Sequence, residues 1–273
     1  MSQPFSVLMS IYIKENPAYL RECLDSMLCQ TAMPNEIVIV KDGPLTEELE
    51  GVLTEYATKN EGLYKIVPLE KNVGLGLALA EGMLHCSHEL VARMDTDDVS
   101  AADRFEKQLA EFEKDPDLDI CGGQIVEFED SVEKIVARRT VPLTDAEIKQ
   151  YQKRRDGFNH VSVMFKKSSV LKAGNYQSCM LMEDTYLWVN MFNAGARGKN
   201  IDEDLVYVRI GKDMFERRGG WAYFKKYKQG RKKVRETGYI GFWDYYYTLF
   251  VQLVVALMPN KLRGFIFKKL LHK

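Results

Sequence analysis

Val91-Ala92-Arg93-Met94-Asp95-Thr96-Asp97-Asp98 decides how this chain is read. An apolar run leads straight into three carboxylates within four residues. Like charges crowded at a strand end cost electrostatic energy unless a cation or a set of donors neutralises them. Mg2+ and Mn2+ take oxygen ligands, commonly one or two carboxylates plus substrate phosphates. The stretch therefore reads as an Asp-x-Asp site that holds a metal and, through it, a diphosphate. The competing reading is a solvated acidic turn capping a helix that begins near Ala101.

The residues upstream decide between the two. Phe5 to Tyr12 is a short β-rich apolar run, as is Glu36 to Lys41, which ends at Asp42-Gly43. Tyr64 to Leu69 predicts a third strand and Leu90 to Met94 a fourth. Between them lie helical patterns: Asn16-Pro17 starts one with Leu20, Leu24, Met27 and Leu28 on a face. Thr46 starts a second with Leu49, Val52, Leu53 and Tyr56, and Gly76 to Cys86 makes a third. Single helices alternating with strands predict right-handed βαβ units, an α/β fold with a mostly parallel central sheet flanked by helices. Ligands of such sheets bind beyond the carboxyl ends of the strands. Ser10, Tyr12, Asp42 and Asp95 to Asp98 should then share one cleft. Phe105, Leu109 and Phe112 mark a further helix, and Asp119 to Phe128 with a returning Val132 to Thr140 makes the second half mixed. Lys149 to Arg155 reads as a solvated basic helix face.

The composition is that of an ordinary globular chain: 273 residues, 46% hydrophobic, 28% charged, net charge −1. From Lys212 onward it carries 15 Lys/Arg against 4 Asp/Glu, whereas the preceding residues carry 23 against 35. An acidic body with a basic, aromatic tail points to an anionic surface and gives no reason to expect nucleic acid. Five scattered cysteines without a C-x-x-C pair argue against a disulfide framework and a structural zinc site. The N-terminus lacks a basic stretch followed by an apolar one, so no signal peptide is expected and a reducing, cytoplasmic setting is.

Other segments carry candidate chemistry. Asn72-Val-Gly74-Leu-Gly76 invites a dinucleotide-fingerprint reading, but Leu79 stands where the third glycine belongs, so these glycines instead let backbone approach a ligand or another segment. Glu183-Asp184 opens an apolar helical run, either as an acidic pair favoured by the helix dipole or as a carboxylate base over the cleft. His160 precedes a strand and is a lone histidine. Arg217-Arg218-Gly219-Gly220 offers a diphosphate clamp or a membrane-facing basic turn.

Taken together, Val7–Tyr12, Asp42-Gly43, Asn72-Val-Gly74, Met94-Asp95-Thr-Asp97-Asp98, Asn159-His160 and Glu183-Asp184 resemble glycosyltransferase family 2 over roughly the first 210 residues. The tail resembles bacterial members that build capsule, exopolysaccharide or O-antigen repeats, of the amylovoran-biosynthesis type. The resemblance implies a GT-A fold and an inverting, Mn2+- or Mg2+-dependent transfer from a nucleotide-sugar, expected to be a UDP-sugar, to a lipid-linked saccharide. It implies that Asp42 meets the nucleobase with Ser10 and Tyr12 walling the pocket, and that Asn72, Arg217 and Arg218 contribute to donor binding. Asp95 would face ribose and metal, and Asp97 would ligate the metal. Asp184 would be the base with Glu183 beside it, and His160 would contact acceptor or phosphate. Ile13 departs from the asparagine that many members carry after the first-strand tyrosine. Two alternatives remain at this stage: a haloacid-dehalogenase-like phosphatase, because Asp95-Thr-Asp97-Asp98-Val99 fits D-x-D-x-V, and a non-catalytic nucleotide-sugar-binding module.

The expected division is a catalytic domain over 1–211 and a helical, membrane-associating region over 212–273. Tyr239 to Met258 is aromatic and aliphatic but interrupted by Asp244, Thr248 and Gln252, which suits the headgroup interface better than a span. Leu262, Phe265, Ile266 and Leu270 recur at helical spacing among basic residues. The expected location is the inner face of the cytoplasmic membrane. A hairpin packed on the catalytic domain, or a homo-oligomer through these helices, is the alternative.

Overall fold

The computed structural model describes residues 3–211 and 219–258. Arg217, Arg218 and the basic segment after Met258 lie outside the described residues.

Strands β1 (Phe5–Ile11), β2 (Glu36–Lys41), β3 (Tyr64–Pro68) and β4 (Leu90–Arg93) alternate with helices α1 (Pro17–Leu28), α2 (Glu47–Lys59) and α3 (Leu75–His85). All pairings among these strands are parallel. Helix starts follow local chemistry: the Asn16 side chain accepts from the Ala18 amide with Pro17 in the first turn, and Thr46 accepts from Leu49. A two-residue strand β5 (Val99–Ser100), helix α4 (Arg104–Lys114) and strands β6 (Ile120–Phe128) and β7 (Ile135–Arg139) follow. Helix α5 (Asp145–Gln152) opens on a capping box between Thr144 and Glu147. Then come β8 (Met164–Lys166), α6 (Lys167–Lys172), α7 (Glu183–Asn193), β9 (Gly198–Arg209) and two last helices, α8 (Gly220–Glu236) and α9 (Phe242–Leu257).

The sheet order is β3-β2-β1-β4-β8-β6-β9-β5, with β7 on β6. β8 runs against β4 and β6, while β6 and β9 are parallel. Consequently the ends of β1, β2, β4, β6 and β9 and the start of β8 all reach one edge. The strands alternate between two cores: Val7, Met9, Ile37 and Ile39 face α1, α2 and α4, whereas Leu8, Val38 and Val40 face α3 and α7. Each fully buried aliphatic side chain contributes roughly 1.5–3 kcal/mol.

Tyr239 to Met258 packs along one side, as the hairpin alternative expected, and is not free all round. Tyr245 and Leu249 of α9 join Val234, Ile240, Val189 of α7 and Met182 in a third apolar cluster. Gly230 of α8 permits this approach, since a Cβ there would fall 2.4 Å from the Met180 carbonyl oxygen. Nor is Lys149 to Arg155 wholly solvated. Arg154 donates to Asp244 at 2.7 Å and lies over the Tyr247 ring, and Lys149 sits over Phe192. The outer face of α9 stays open: Trp243 is 80% exposed, Phe250 and Leu257 67% each.

Candidate active site

The carboxylates lie where β4 runs out at the shared edge. Asp95 pairs with Arg93, whose side chain is 2% exposed and leaves Nε and Nη1 without a hydrogen-bond partner among the described residues. A second buried guanidinium, Arg104, donates to the carbonyls of Arg93 at 2.7 Å and Val163 at 3.3 Å. Its neighbour Gln108 bonds the carbonyls of Cys121 and Ser162. Burial, with the nearby Arg93 charge, lowers the Arg104 pKa to about 9. Two cations thus lie beside the acidic turn, and Arg104 with Gln108 ties β4 to β6 and to the segment entering β8.

Above them negative charge accumulates. Burial and then Asp95 push Asp97 up to about 6. Asp98 is buried, accepts the Arg209 amide at 2.8 Å and is raised well above the ordinary range by burial, Asp95 and Asp97. Glu15, just past β1, rises to about 7 through burial, Asp97 and Asp95. Sequence reading missed Glu15, because only the fold brings the end of β1 to the end of β4.

The chemistry of this donor set fits a hard divalent cation. Among the described residues no group of three His, Cys, Asp or Glu forms a metal cage. Asp97 and Asp95 would hold Mn2+ or Mg2+ with diphosphate and water completing the shell, an arrangement common for Mg2+.

Asp42 is buried at the end of β2. Its two carboxylate oxygens accept the amides of Val73 at 2.6 Å and Gly74 at 3.1 Å, and the Asn72 side chain donates to the Asp42 carbonyl at 3.2 Å. The carboxylate therefore shapes the loop before α3. Ser10, in β1, is in register with Val40 of β2, and Tyr12 is 39% exposed just beyond the strand.

Glu183 and Asp184 form the first turn of α7. Burial pushes Asp184 up to about 7, followed by repulsion from Asp156; Glu183 adds to it, while the Thr185 amide and Arg139 oppose it. Asp156, another residue missed in sequence, accepts from the Thr185 hydroxyl and the Gln152 amide. Gly76 of α3 has the role expected of it: a Cβ there would lie 2.9 Å from the Gln177 oxygen and 3.0 Å from Glu183 Cβ. Tyr176 feels the charge of both acidic groups. Burial raises its pKa, Arg93 opposes, and Asp184, Asp95 and Glu183 all add to the rise. His160 donates to or accepts from the Tyr176 hydroxyl at 2.9 Å and meets Trp188 edge to face. Burial and Arg93 hold its pKa well below 6.5, so it is neutral. Its described contacts are internal.

A polar groove of about 460 Å³ elsewhere, lined by Glu111, Asp145 and Arg197 among others, lies at the start of β9 and includes none of these carboxylates.

Residues 6–174 match the profile described as Glycosyl transferase family 2. The amylovoran biosynthesis glycosyltransferase AmsE of Erwinia amylovora is 40% identical over 97% of this chain and 98% of its own. The UDP-Gal:alpha-D-GlcNAc-diphosphoundecaprenol beta-1,3-galactosyltransferase of Escherichia coli is 36% identical over 98% and 97%. In fold, the mannosyltransferase PcManGT of Pyrobaculum calidifontis, solved with GDP-Man and Mn2+, superposes with a TM-score of 0.64, at 13% identity over 96% of this chain and 72% of that one. These matches remove the phosphatase and the non-catalytic alternatives. The sheet carrying an acidic turn at its carboxyl edge is a GT-A fold, and the chain belongs to glycosyl transferase family 2 and is a glycosyltransferase.

Proposed function

We propose that this glycosyltransferase moves a sugar from a UDP-sugar to a hydroxyl of a lipid-linked saccharide in surface polysaccharide synthesis, with inversion at the anomeric carbon. The names of the Erwinia and Escherichia relatives support the pathway, the donor and the lipid carrier. The observation that supports the reading is the close packing of α3, led in by the Asp42-held loop, on the start of α7, where Gly76 leaves room for Glu183 beside Asp184, whose carboxyl is raised to about 7.

Ser10, Tyr12, Asn72 and the Asp42-shaped loop line the donor side, and Arg217 and Arg218 are assigned to the diphosphate. Asp97 and Asp95 would hold Mn2+ or Mg2+, which when bound would supply charge neutralisation for the diphosphate. Asp184 takes the proton of the acceptor hydroxyl while that oxygen bonds the anomeric carbon and the sugar–diphosphate bond breaks. A base with a pKa near the working pH suits this role, because it is both ionised and basic enough. Glu183 orients the acceptor. His160, neutral and tied to Tyr176, is assigned as a contact to acceptor or phosphate that acts through that hydroxyl.

The division at residue 211 separates this catalytic part from a region assigned to the inner face of the cytoplasmic membrane. No described helix is long and apolar enough to cross a membrane. Trp243, Tyr246, Tyr247 and Phe250 are exposed on α9, with Arg235 over the Phe242 and Tyr246 rings and Arg154 over Tyr247. Aromatic rings favour the headgroup layer, and each basic residue near anionic lipid adds about 1 kcal/mol. A second copy on the same face would instead make a homo-oligomer.

The test is transfer from a panel of radiolabelled nucleotide-sugars to a polyprenyl-diphosphate-linked sugar, with Mn2+ or excess chelator. Metal-dependent labelling of the lipid from a UDP-sugar is expected. Transfer from every donor except UDP-sugars, or labelling unaffected by chelator, would refute the donor or the metal assignment respectively.

A further inference from the structure

Arg209, the last residue of β9, is bonded on several sides although 111 residues separate it from Asp98. Its amide donates to the Asp98 carboxylate at 2.8 Å and its Nε to the Asp97 carbonyl at 3.1 Å. Its guanidinium pairs with Glu22 of α1 and is held between the rings of Tyr19, at 3.9 Å, and Phe128, at 4.5 Å. The side chain is 7% exposed. Next to it β5 is zipped onto β9, Val99 opposite Tyr207 and Ser100 opposite Val206. The acidic turn is thus anchored at one end by β4 and at the other by β9, with Arg209 clipping the intervening Asp97–Asp98 peptide.

We infer that Arg209 is a positioning residue for donor binding. It fixes the peptide that aims Asp95 and Asp97, so that their carboxylates meet the donor diphosphate in one orientation. The clip needs a planar group: Nε bonds along one edge, Nη2 pairs on another, and both faces stack on rings, which an ammonium cannot reproduce. The inference rests on the donor-site reading above. Groups that orient ligating carboxylates typically change metal affinity or activity 10–100-fold when removed.

The experiment is calorimetric titration of UDP with Mn2+ into wild type, Arg209→Met, Arg209→Lys and Tyr19→Leu, beside donor KM and kcat and a melting curve for each. Tyr19→Leu removes one stacking face, leaves the turn untouched, and serves if the Arg209 variants do not fold. Roughly tenfold or greater weakening of UDP binding is expected for Arg209→Met, less for Tyr19→Leu, with Arg209→Lys failing to restore it. KM for the donor rises while kcat at saturation stays within about threefold. UDP affinity within twofold of wild type in the folded variants overturns the inference alone. A wild type that binds no nucleotide overturns the donor-site reading and the inference with it. Weakening in step with melting temperature, with kcat falling equally, overturns the positioning role.

Discussion

Asp184→Asn should leave the protein inactive and, above pH 7, more stable than wild type. Burial is the largest cause raising this carboxyl from 3.8 to about 7. Below pH 3.8 it is protonated in the folded and unfolded chain alike, and its placement carries no ionisation penalty. Between 3.8 and 7 the unfolded chain releases a proton that the folded chain keeps, so stability declines as pH rises. Above 7 both forms are ionised and the loss is constant. Three pH units at about 1.36 kcal/mol each set it at no more than about 4 kcal/mol. The asparagine side chain never ionises, yet retains an oxygen for the Thr185 amide, which Asp184 accepts at 2.7 Å. Thermal unfolding should therefore show little difference at pH 4, part of the gain at pH 5.5, and up to about 16 °C at pH 8, taking roughly 2–4 °C per kcal/mol for a domain of this size. Single-turnover transfer at pH 8 should fall about 10²–10⁴-fold, the usual worth of a positioned base, with UDP affinity unchanged. Destabilisation of equal size at every pH, or transfer near the wild-type rate, would refute the reasoning.

Asp156→Asn keeps an acceptor for Thr185 but removes the charge that ranks second in raising Asp184; the acidic limb of the pH–rate profile should move down by about one pH unit, giving about fivefold faster transfer at pH 6 and no change at pH 8.5. Asp97→Asn should abolish the Mn2+ dependence of UDP binding, and equal wild-type affinity in excess chelator would show that no metal is involved. Gly76→Ala should drop kcat by about tenfold or more and also lower the melting temperature, because the added methyl presses on the Gln177 backbone oxygen and on Glu183 Cβ, an overpacking cost that alanine's helix preference does not offset. Trp243→Glu with Phe250→Glu should keep the fold and lose flotation with anionic liposomes at low salt; unchanged flotation, or loss of a dimer by light scattering instead, would assign the face differently.

The first half of the fold was legible because it is written locally. Caps at Asn16 and Thr46 and continuous apolar runs from Phe5, Ile37 and Leu90 need no distant partner to declare themselves. β9 carries no such pattern. Its centre is Asp202-Glu203-Asp204, and its register against β6 shifts there, so neither alternation nor an apolar run marks it. α8 is mostly polar, with Phe224, Gly230, Arg231 and Val234 its buried residues, so its packing against the rest of the chain left no apolar stripe in the sequence. The Asp-x-Asp turn, Asp42 and Asp184 could be named as candidates because carboxylates at strand and helix ends are visible in sequence. Glu15, Asp156 and Arg209 were not, since each matters through residues far along the chain. Arg104 and Gln108 left a faint signal: polar residues on the face of α4 that Phe105, Leu109 and Phe112 make apolar. The packing of α9 also decides how lipid binding can be tested. A chain ending at Gly238 would strip Tyr245 and Leu249 from the cluster around Val189, so truncation would report on folding rather than on lipid.

That same cluster reaches Met182, the residue before Glu183 and Asp184, with Gly230 close against the Met180 carbonyl. The aromatic outer face of α9 and the start of α7, where the proposed base sits, are therefore packed into one body rather than joined by a leash. A leash would let the cleft sample many heights above a bilayer. A packed hairpin lying on a bilayer would act as a ruler: it would fix the altitude of the proposed base and, with it, the length of carrier-linked saccharide whose hydroxyl can arrive there. Chain length of the acceptor, as much as its sugar identity, would then be selected by packing around Met182.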